Sequence, residues 1–409
     1  MPPSRRQPHL PGTSHHAGRH LLQIPGPTNV PSRVLAAIAQ ATIDHRGPAF
    51  SELFDELTPP LRRVFGTEDD IVVFAASGTG AWEAALVNTL SPGETVVSFD
   101  NGHFADLWAT MAARLELRVE RVAGDWRRAP DPARLSDLLD GDPSHRVRAV
   151  TVVHNETSTG VTADIPAIRA AIDAADHPAL LIVDTISSLG SMEYRHDDWR
   201  VDVTVACSQK GLMLPPGLSF NAIGPRAIEA SRSASLARSY WDWHAMLEAN
   251  RQSRFPHTPA TNLLFGLKEA LAMLEAESLE AVFARHERHA LATRRAVDGW
   301  GLELYPVIES ERSRSLTAVL MPDGHDADDL RETILRTFDM SLGAGLGALA
   351  GRVFRIGHLG DLNDLTLAGV LCGVEMGLRL TRIPYRQDGV AEALRYLADA
   401  TGREDDNQA

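Results

Sequence analysis

The sequence predicts an α/β protein with a mostly parallel sheet, followed by a smaller α+β domain. From about residue 71, short apolar runs alternate with longer amphipathic runs. The short runs show little polar alternation, which is typical of strands covered on both faces. Around residue 262 this alternation gives way to a long helical stretch. Because alternating strands and helices build parallel sheets with crossover helices, the first part of the chain predicts one such sheet.

The strands and helices of this sheet follow one another in order. Three strand-like runs are each followed by a helix-like run: "IVVFAA" by "GAWEAALVNTL", "ETVVSF" by "FADLWATMAARL", and "RAVTVVH" by "IPAIRAAIDAA". The further strand-like runs are "ALLIVDT", "VDVTVA" and "LSFNAI". Together these runs predict a single sheet flanked by helices.

The rest of the chain predicts a smaller domain attached through a connecting helix. The stretch from residue 262 has apolar residues at intervals of three and four, which is a helical spacing. It is followed by "SLTAVLMP", "ADDLRETILRTF" and "RVFRIGHLG", which predict strand, helix and strand. We therefore predict a mobile N-terminal arm (1–20), a large α/β domain (21–265), a small C-terminal domain (266–385) and a polar C-terminal tail (386–409).

Charge and cysteine content exclude several classes of protein. The formal net charge of -14, without a local basic excess, argues against a protein that binds nucleic acid or an anionic membrane. No apolar run approaches the roughly 20 residues of a membrane span, and the N-terminus lacks the apolar core of a signal peptide. Two cysteines cannot build a disulfide framework or, unaided, a four-ligand zinc site. We predict a cytoplasmic protein with no membrane or nucleic-acid partner.

Three histidines of the N-terminal arm, His15, His16 and His20, could bind a metal ion. No cysteine or carboxylate lies near them in the sequence to complete a site. We therefore interpret the arm as a disordered or tag-like segment and predict no metal site in the protein.

Lys210 is the main candidate for a catalytic residue. The chain has only two lysines among its 40 Lys and Arg residues, and Lys210 closely follows "VTVAC", a run expected to be buried. A buried ammonium group is unfavourable unless it is paired or neutralised. A desolvated lysine has a lowered pKa and a nucleophilic amine that condenses with aldehydes. Lys268 has the spacing of an exposed helix face, and we assign it no role.

An aldehyde that condenses with lysine suggests pyridoxal 5'-phosphate, and three places in the sequence meet the demands of that cofactor. Ser77, Gly78 and Thr79 lie between a strand and a helix, where N–H groups bind phosphate or form a simple helix cap. Asp184 ends an apolar strand at the edge where α/β proteins bind ligands, and could pair with the ring nitrogen or cap a turn. Phe104 could stack on the ring or belong to the core.

The chain resembles the class V pyridoxal-phosphate aminotransferases of fold type I, specifically the serine-glyoxylate and alanine-glyoxylate branch. The resemblance spans about residues 21–380. The motifs that carry it are "PGPTNVP" (25–31), "DHRGPAF" (44–50), "SGTGAWEAAL" (77–86), "HNETSTGV" (154–161), "VDTISSLGS" (183–191), "SQKGLMLPPG" (208–217), "TPATNLL" (258–264) and "FRIGHLGDLND" (354–364). The resemblance implies a large domain around a mostly parallel seven-stranded sheet, a smaller α+β domain, and pyridoxal phosphate as cofactor.

The resemblance also implies a role for each matching residue. Lys210 would bind the cofactor covalently and move a proton at the substrate Cα, while Asp184 would pair with the ring nitrogen. Arg355 would bind the substrate carboxylate through two parallel hydrogen bonds, with Pro25 and Gly26 beside the substrate. The remaining cofactor contacts would be Ser77, Gly78, Thr79 and Gln209 at the phosphate, Phe104 on the ring, and Thr157 near the 3'-hydroxyl.

The resemblance further implies a homodimer with shared active sites. In relatives, the segment that matches residues 255–258 reaches the neighbouring subunit, where Thr258 would contact the phosphate and Phe255 would lie on the substrate side. Relatives often have tryptophan in place of Phe104, which predicts weaker stacking here, and tyrosine in place of Phe255, which removes a hydroxyl. His257 could compensate for that hydroxyl or simply be packed.

The glycine-rich stretch "SLGAGLGALAG" (341–351) does not match a dinucleotide-binding motif, because it follows a helix-like run and lacks the GxGxxG spacing. We interpret it as a flexible segment that leads into the strand of Arg355.

The sequence thus predicts an aminotransferase that works in two half-reactions. A small L-amino acid such as serine, alanine or aspartate gives its amino group to the cofactor, and glyoxylate or another 2-oxo acid takes it. A lyase or aldolase with the same cofactor is the alternative within catalysis. A desulfurase is disfavoured, because neither Cys207 nor Cys372 is predicted on an accessible loop. A homologue that has lost activity would lack Lys210, Asp184 or Arg355, and all three are present.

Overall fold

The computed structural model describes residues 17–406, with side chains described as far as residue 400. Most of the predicted N-terminal arm, including His15 and His16, lies outside the described residues. His20 is described, and its Nδ1 lies 2.8 Å from Asp339 Oδ1. No helix among residues 17–406 combines the length and apolar character needed to cross a bilayer.

The described residues contain fourteen strands. They are β1 (Leu21–Gln23), β2 (Asp70–Phe74), β3 (Thr95–Asp100), β4 (Arg118–Ala123), β5 (Val147–Val153), β6 (Asn155–Glu156), β7 (Val161–Thr162), β8 (Leu180–Asp184), β9 (Val203–Cys207), β10 (Ser219–Ile223), β11 (Glu303–Leu304), β12 (Leu316–Leu320), β13 (Met340–Ala344) and β14 (Val353–Gly357).

Thirteen α-helices accompany these strands within residues 17–406. They are α1 (Ser32–Ile38), α2 (Pro48–Phe65), α3 (Gly78–Thr89), α4 (His103–Arg114), α5 (Pro132–Asp140), α6 (Ile165–Ala174), α7 (Pro225–Ser231), α8 (Trp243–Asn250), α9 (Thr261–Glu277), α10 (Leu279–Trp300), α11 (Ala327–Phe338), α12 (Asp364–Leu380) and α13 (Gly389–Asp406). Short 3-10 turns cover Glu309–Glu311 and Gly347–Leu349.

Seven strands form the large sheet, in the order β2-β10-β9-β8-β5-β3-β4. All neighbours are parallel except β10, which runs antiparallel to both β2 and β9. The prediction of a mostly parallel seven-stranded sheet is confirmed. The register aligns Val153 with Asp184 and Asp184 with Val205. The last residues of β5 and β8 therefore lie side by side, next to the middle of β9, at the edge that we call the carboxyl edge.

Helices cover both faces of this sheet, as its continuous apolar strands predict. On one face, buried side chains of α2, α5, α6 and α9 form a core cluster with the strands. On the other face, buried side chains of α3, α4, α7 and α8 form a second cluster. Strand β8 is buried along its whole length, because helices pack on both its faces.

A second sheet has the order β1-β13-β14-β12-β11. Strand β1 is parallel to β13, and the other pairs are antiparallel. A core cluster from α10, α11, α12 and α13 covers it. Strand β1 therefore places the start of the described chain in the smaller sheet. The boundaries of the proposed domains remain a prediction.

Three features differ from the sequence-based expectations. The helical stretch after residue 262 is broken at Ser278, which has a φ of +71° and whose hydroxyl accepts a hydrogen bond from Ala281 N at the start of α10. The prediction of a flexible segment over 341–351 is wrong for its first residues, because β13 extends to Ala344. The C-terminal tail was expected to be a polar helix, but the side chains of Ala393 and Leu397 in α13 are buried.

Candidate active site

The connections at the carboxyl edge of the large sheet surround a cavity of about 240 Å³. Because β2, β5, β8 and β9 run in the same direction, the segments that follow them meet at this edge. Ligands of α/β proteins bind at such an edge. The residues that line the cavity are Gly26, Pro27, Ser77, Gly78, Thr79, Trp82, Phe104, Val153, Asn155, Thr157, Asp184, Ile186, Ser187, Gln209 and Lys210.

Lys210 reaches into this cavity from the segment after β9. Its Nζ donates hydrogen bonds to the carbonyl oxygens of Pro25 and, at 3.3 Å, Gly26. Among the described residues, no carboxylate lies within ion-pairing distance of Nζ. Burial disfavours the charged amine, and it lowers the pKa of Lys210 to about 8, with a further lowering from the positive charge of Arg355. At neutral pH the amine is therefore mostly charged, and its neutral fraction rises as the pH approaches 8.

The N-terminal segment fixes the position of Lys210. Thr28 N donates to Gln209 O at 3.2 Å, and Thr28 Oγ1 donates to Lys210 O at 3.3 Å. Gly26 has a φ of +88°, and a Cβ at this position would lie 2.1 Å from Lys210 Cδ. Only glycine therefore fits this close approach of the two chain segments.

Asp184 ends β8 beneath the cavity, and two donors hold its carboxylate. Trp82 Nε1 donates to Oδ2 at 2.9 Å, and Ile186 N donates to Oδ1 at 2.6 Å. Burial nevertheless raises the pKa of Asp184 to about 7, because these hydrogen bonds and the charge of Lys210 offset only part of the desolvation. A cation next to this carboxylate would lower its pKa and stabilise its charged form.

Helix α3 begins at the cavity, and its first residues Gly78 and Thr79 line it. Ser77 is the N-cap residue, and its side chain makes no capping hydrogen bond. The first N–H groups of a helix lack intrahelical partners and favour anions. The buried Oε1 of Gln209 has no hydrogen-bond partner among the described residues. This amide oxygen is an acceptor, so only rotation of the side chain would turn the NH₂ group of Gln209 towards an anion.

Glu156 organises another wall of the cavity, although the sequence analysis did not select it. Its buried carboxylate accepts hydrogen bonds from Phe104 N and Ala105 N, both at 3.1 Å, at the start of α4. It also accepts from the N–H and hydroxyl of Ser158, at 3.0 and 2.6 Å. Burial raises the pKa of Glu156, although each of these four hydrogen bonds acts in the opposite direction and lowers it. The carboxylate therefore fixes the position of Phe104, whose side chain lines the cavity.

Arg355 lies behind the wall formed by Thr157. Its Nη1 donates to Thr157 O at 2.6 Å, and its Nε donates to Ala344 O at 2.8 Å. Burial lowers the pKa of Arg355 to about 10, which leaves the guanidinium charged at neutral pH. Pro25 lies nearby, because both Pro25 Cδ and Arg355 Cβ would contact a Cβ placed on Gly343. The structure thus brings Arg355 and Pro25 close to Lys210, but neither Arg355 nor Pro25 is among the residues that line the cavity.

Phe255 and Thr258 do not line this cavity. Phe255 packs edge-on against Phe50 and Phe54, with ring centroids 5.9 and 5.8 Å apart. Thr258 is exposed, and His257 stacks on Tyr240 with ring centroids 4.3 Å apart. None of these residues is among those that line the cavity of Lys210, and their entry into a partner's site remains a prediction.

The structure adds Trp82, Asn155 and Ser187 to the lining residues that the sequence indicated. Trp82 lies one helical turn after Gly78, which places its indole over Asp184. Asn155 Nδ2 donates to Ser187 Oγ at 2.8 Å, which joins the segments after β5 and β8. Asn155 lies within "HNETSTGV" and Ser187 within "VDTISSLGS". Their place in these motifs was the available signal, but their orientation depends on the sheet register.

Comparisons with known proteins agree with this arrangement. A family model described as aminotransferase class-V matches residues 20–346. Serine–glyoxylate aminotransferase of Methylorubrum extorquens is 45% identical, with 93% of this chain and 97% of the relative covered. L-aspartate–glyoxylate aminotransferase of Paracoccus denitrificans is 42% identical, with 92% and 96% covered. The crystal structure of alanine–glyoxylate aminotransferase from Nostoc sp. has a TM-score of 0.83 at 31% identity, with 92% and 98% covered.

Proposed function

Because the chain belongs to the class-V aminotransferases, we propose that it transfers the amino group of a small L-amino acid to glyoxylate or a related 2-oxo acid, with pyridoxal phosphate as cofactor. The expected donors are serine, alanine and aspartate. One observation carries the proposal: Lys210, Asp184 and the N-terminus of α3 surround a single cavity at the carboxyl edge.

The residues around the cavity fit pyridoxal phosphate. The start of α3 suits an anionic phosphate, and the amide of Gln209 would add a donor once it rotates to present its NH₂ group. The raised pKa of Asp184 indicates a buried carboxylate that lacks a cation, which a protonated ring nitrogen supplies. Phe104 offers an aromatic face beside these groups. When bound, the cofactor supplies an aldehyde and a protonated ring that accepts electrons from the substrate Cα.

Lys210 provides the amine that binds the aldehyde and the base that moves the proton. Its pKa of about 8 leaves a useful fraction of neutral, nucleophilic amine near neutral pH. The carbonyl oxygens of Pro25 and Gly26 orient Nζ without neutralising its charge. The same amine can take a proton from the substrate Cα and return it, as a general base and acid with a pKa near the working pH does best.

Arg355 is the proposed site for the substrate carboxylate. Two of its nitrogens already donate to Thr157 O and Ala344 O, which fixes the guanidinium plane. A fixed, charged guanidinium binds carboxylates with defined orientation. The cavity of about 240 Å³ is below the usual size of ligand pockets. Little room remains beside the cofactor, which favours small donors and a small acceptor such as glyoxylate.

The first experiment measures amino transfer from L-serine, L-alanine and L-aspartate to glyoxylate, pyruvate and 2-oxoglutarate. We expect glycine formation from glyoxylate to have the highest kcat/KM with at least one of these donors. A preference for 2-oxoglutarate over glyoxylate would contradict the proposed acceptor. Absence of transfer with every pair, in protein that carries the cofactor, would contradict the aminotransferase itself.

The second experiment separates transfer from the lyase or aldolase alternative. A donor supplied without acceptor should release one equivalent of 2-oxo acid per active site and then stop, with no ammonia or aldehyde. Continued turnover with ammonia or aldehyde release would favour cleavage. A desulfurase nucleophile is not expected at Cys207, because this residue is buried in β9 and burial raises the pKa of its thiol to about 12.

A homodimer and a cytoplasmic location accompany this proposal as predictions. The exposed position of Thr258 leaves it available to a neighbouring subunit. Sedimentation or light scattering, combined with complementation between Thr258→Ala and Lys210→Ala chains, would test whether the two subunits share each site.

A further inference from the structure

A second group of titratable residues lies at the opposite, amino edge of the large sheet. It consists of Asp69, which precedes β2, and of His196 and Asp197 in the segment before β9. One potential ligand atom from each residue lies within 4.8 Å of the others. We propose that Asp69, His196 and Asp197 form a binding site for a divalent transition-metal ion, with zinc as the best match.

His196 is the observation that points to a ligand. Its side chain is 1% exposed, and its Nδ1 lies 2.6 Å from Thr204 Oγ1. Its Nε2 is buried and has no hydrogen-bond partner among the described residues. Asp69 Oδ2 lies 3.9 Å from Nε2, which is too far for a hydrogen bond. A buried ring nitrogen without a partner is unfavourable, and a metal ion between Nε2 and Asp69 would satisfy it.

Both carboxylates are free to bind such an ion. Asp197 accepts one hydrogen bond at each oxygen, from Thr67 Oγ1 at 2.6 Å and from Glu68 N at 2.9 Å. These bonds fix its orientation and leave a lone pair on each oxygen. Within the described part of the chain, the Asp69 carboxylate accepts no hydrogen bond. Asp69 can therefore adjust to an ion that His196 and Asp197 hold.

Hydrogen bonds and close packing hold together the two backbone segments that carry the site. His196 N donates to Phe65 O and Asp197 N donates to Gly66 O, both at 3.1 Å. A Cβ on Gly66 would lie 2.9 Å from Arg195 Cα, so the two segments are in close contact. The Oγ1 of Thr204 also lies 2.5 Å from the hydroxyl of Tyr194. Hydrogen bonds to the second ring nitrogen of a ligating histidine are typical of metal sites, because they set the ring orientation.

The local charges also favour a cation. Nearby arginines are already paired: Arg195 with Glu193 and Asp198, and Arg62 with Asp70. The carboxylates of Asp69 and Asp197 place two negative charges beside the unpartnered Nε2 of His196. A bound dication would offset the repulsion between the two carboxylates.

The ligand set favours zinc over magnesium or calcium. Zinc binds imidazole nitrogen and carboxylate oxygen, usually with four ligands, and a water molecule would complete this site. Magnesium and calcium prefer oxygen ligands throughout. The site lies across the five-residue strand β9 from the segment of Lys210, so we expect it to join the α2–β2 connection to the segment before β9 and to take no part in amino transfer. This proposal departs from the expectation of no metal.

The test uses the full-length holoenzyme with His15 and His16 replaced by alanine, because these histidines could also bind zinc. After treatment with a chelator, the protein is titrated with ZnCl₂ or MgCl₂, and metal content and Tm are measured. We expect one tightly bound zinc per chain, a rise in Tm with zinc, and neither effect with magnesium. Amino transfer should be the same with and without zinc.

Two variants make the assignment specific. Asp69→Asn removes one ligand without disturbing any hydrogen bond and should weaken zinc binding by more than about tenfold and abolish the rise in Tm. Asp198→Asn changes an exposed neighbour and should bind zinc like the parent protein. Unchanged zinc binding in Asp69→Asn, or no zinc binding in the parent, would overturn the proposal. His196→Asn provides a second test if Asp69→Asn alters the fold.

Discussion

The two lysines of this chain occupy opposite environments. Lys210 follows β9 in the interior, where its Nζ donates only to carbonyl oxygens and burial lowers its pKa to about 8. Lys268 lies on the surface of α9, where half of its side chain is exposed and its Nζ pairs with Glu56. The difference shows that the reactivity of an amine depends on its solvent and its counter-ion. Only Lys210 combines burial, access to a cavity and the absence of a carboxylate partner among the described residues.

The largest expected difference between Lys210 and Lys268 is in catalysis. Lys210→Ala should lower kcat for amino transfer by about 10²–10⁴-fold, the usual contribution of a positioned general acid–base, and should leave the cofactor bound only noncovalently. Lys268→Ala should leave kcat and KM unchanged. Steady-state kinetics and reduction with borohydride, followed by mass spectrometry, check both statements. Normal turnover by Lys210→Ala would contradict the catalytic role assigned to this lysine.

A pH titration tests whether the pKa of the Lys210 amine is lowered. In the cofactor-free protein, acylation of Lys210 by trace acetic anhydride should rise roughly tenfold per pH unit below about pH 8 and level off above it. The sign follows from the lowered pKa, because the charged amine does not react and the neutral amine does. Peptide mass spectrometry gives the rate. A rate that keeps rising steeply well above pH 8 would show that the cavity does not lower this pKa.

The carboxylates near the two lysines should also differ in importance. Asp184→Asn removes the buried charge beneath the cavity and should lower kcat/KM by roughly 10–10²-fold, since hydrogen bonds to charged groups contribute about 1.5–3 kcal/mol. Cofactor retention should fall as well. Glu56→Gln, at the exposed pair with Lys268, should leave activity unchanged. Equal kinetics for Asp184→Asn and the parent protein would remove Asp184 from the site.

The smallest expected effect tests how Asp184 is held. Trp82→Phe deletes the Nε1 donor to Asp184 Oδ2 and should lower kcat about fivefold, for a loss of about 1 kcal/mol. Without this donor the pKa of Asp184 rises further, so the acidic limb of the pH–rate profile should move to higher pH. Trp126→Phe is the matched control, because Trp126 Nε1 donates to Asp100 Oδ1 at 3.0 Å outside the cavity. A similar loss in both variants would indicate a general effect on packing.

The sequence predicted those parts of the fold and site that depend on local pattern. Continuous apolar runs such as β8 predicted strands covered on both faces, and the position of Asp184 at the end of that run predicted its place at the carboxyl edge. Helix α11 follows the predicted run "ADDLRETILRTF" throughout. The break at Ser278 was missed, because the apolar spacing continues across it. Strand β13 was missed because glycines weaken the strand pattern, whereas pairing with β14 and β1 stabilises it.

The partners of these residues could not be predicted from local pattern. Glu156 caps α4 from a distant segment, and His196 meets Asp69 only because β2 and β9 run in the same direction in one sheet. Such contacts depend on register and on the depth of burial, which no spacing along the chain records.

The sequence by itself determined the family, most strands and helices of the large sheet, and which residue types end its central strands. The tertiary structure alone decided which of these residues are desolvated and which partners they have. The reason is electrostatic: a lysine, aspartate or histidine changes its chemistry with the water and charges around it, and those surroundings come from segments far apart in the chain.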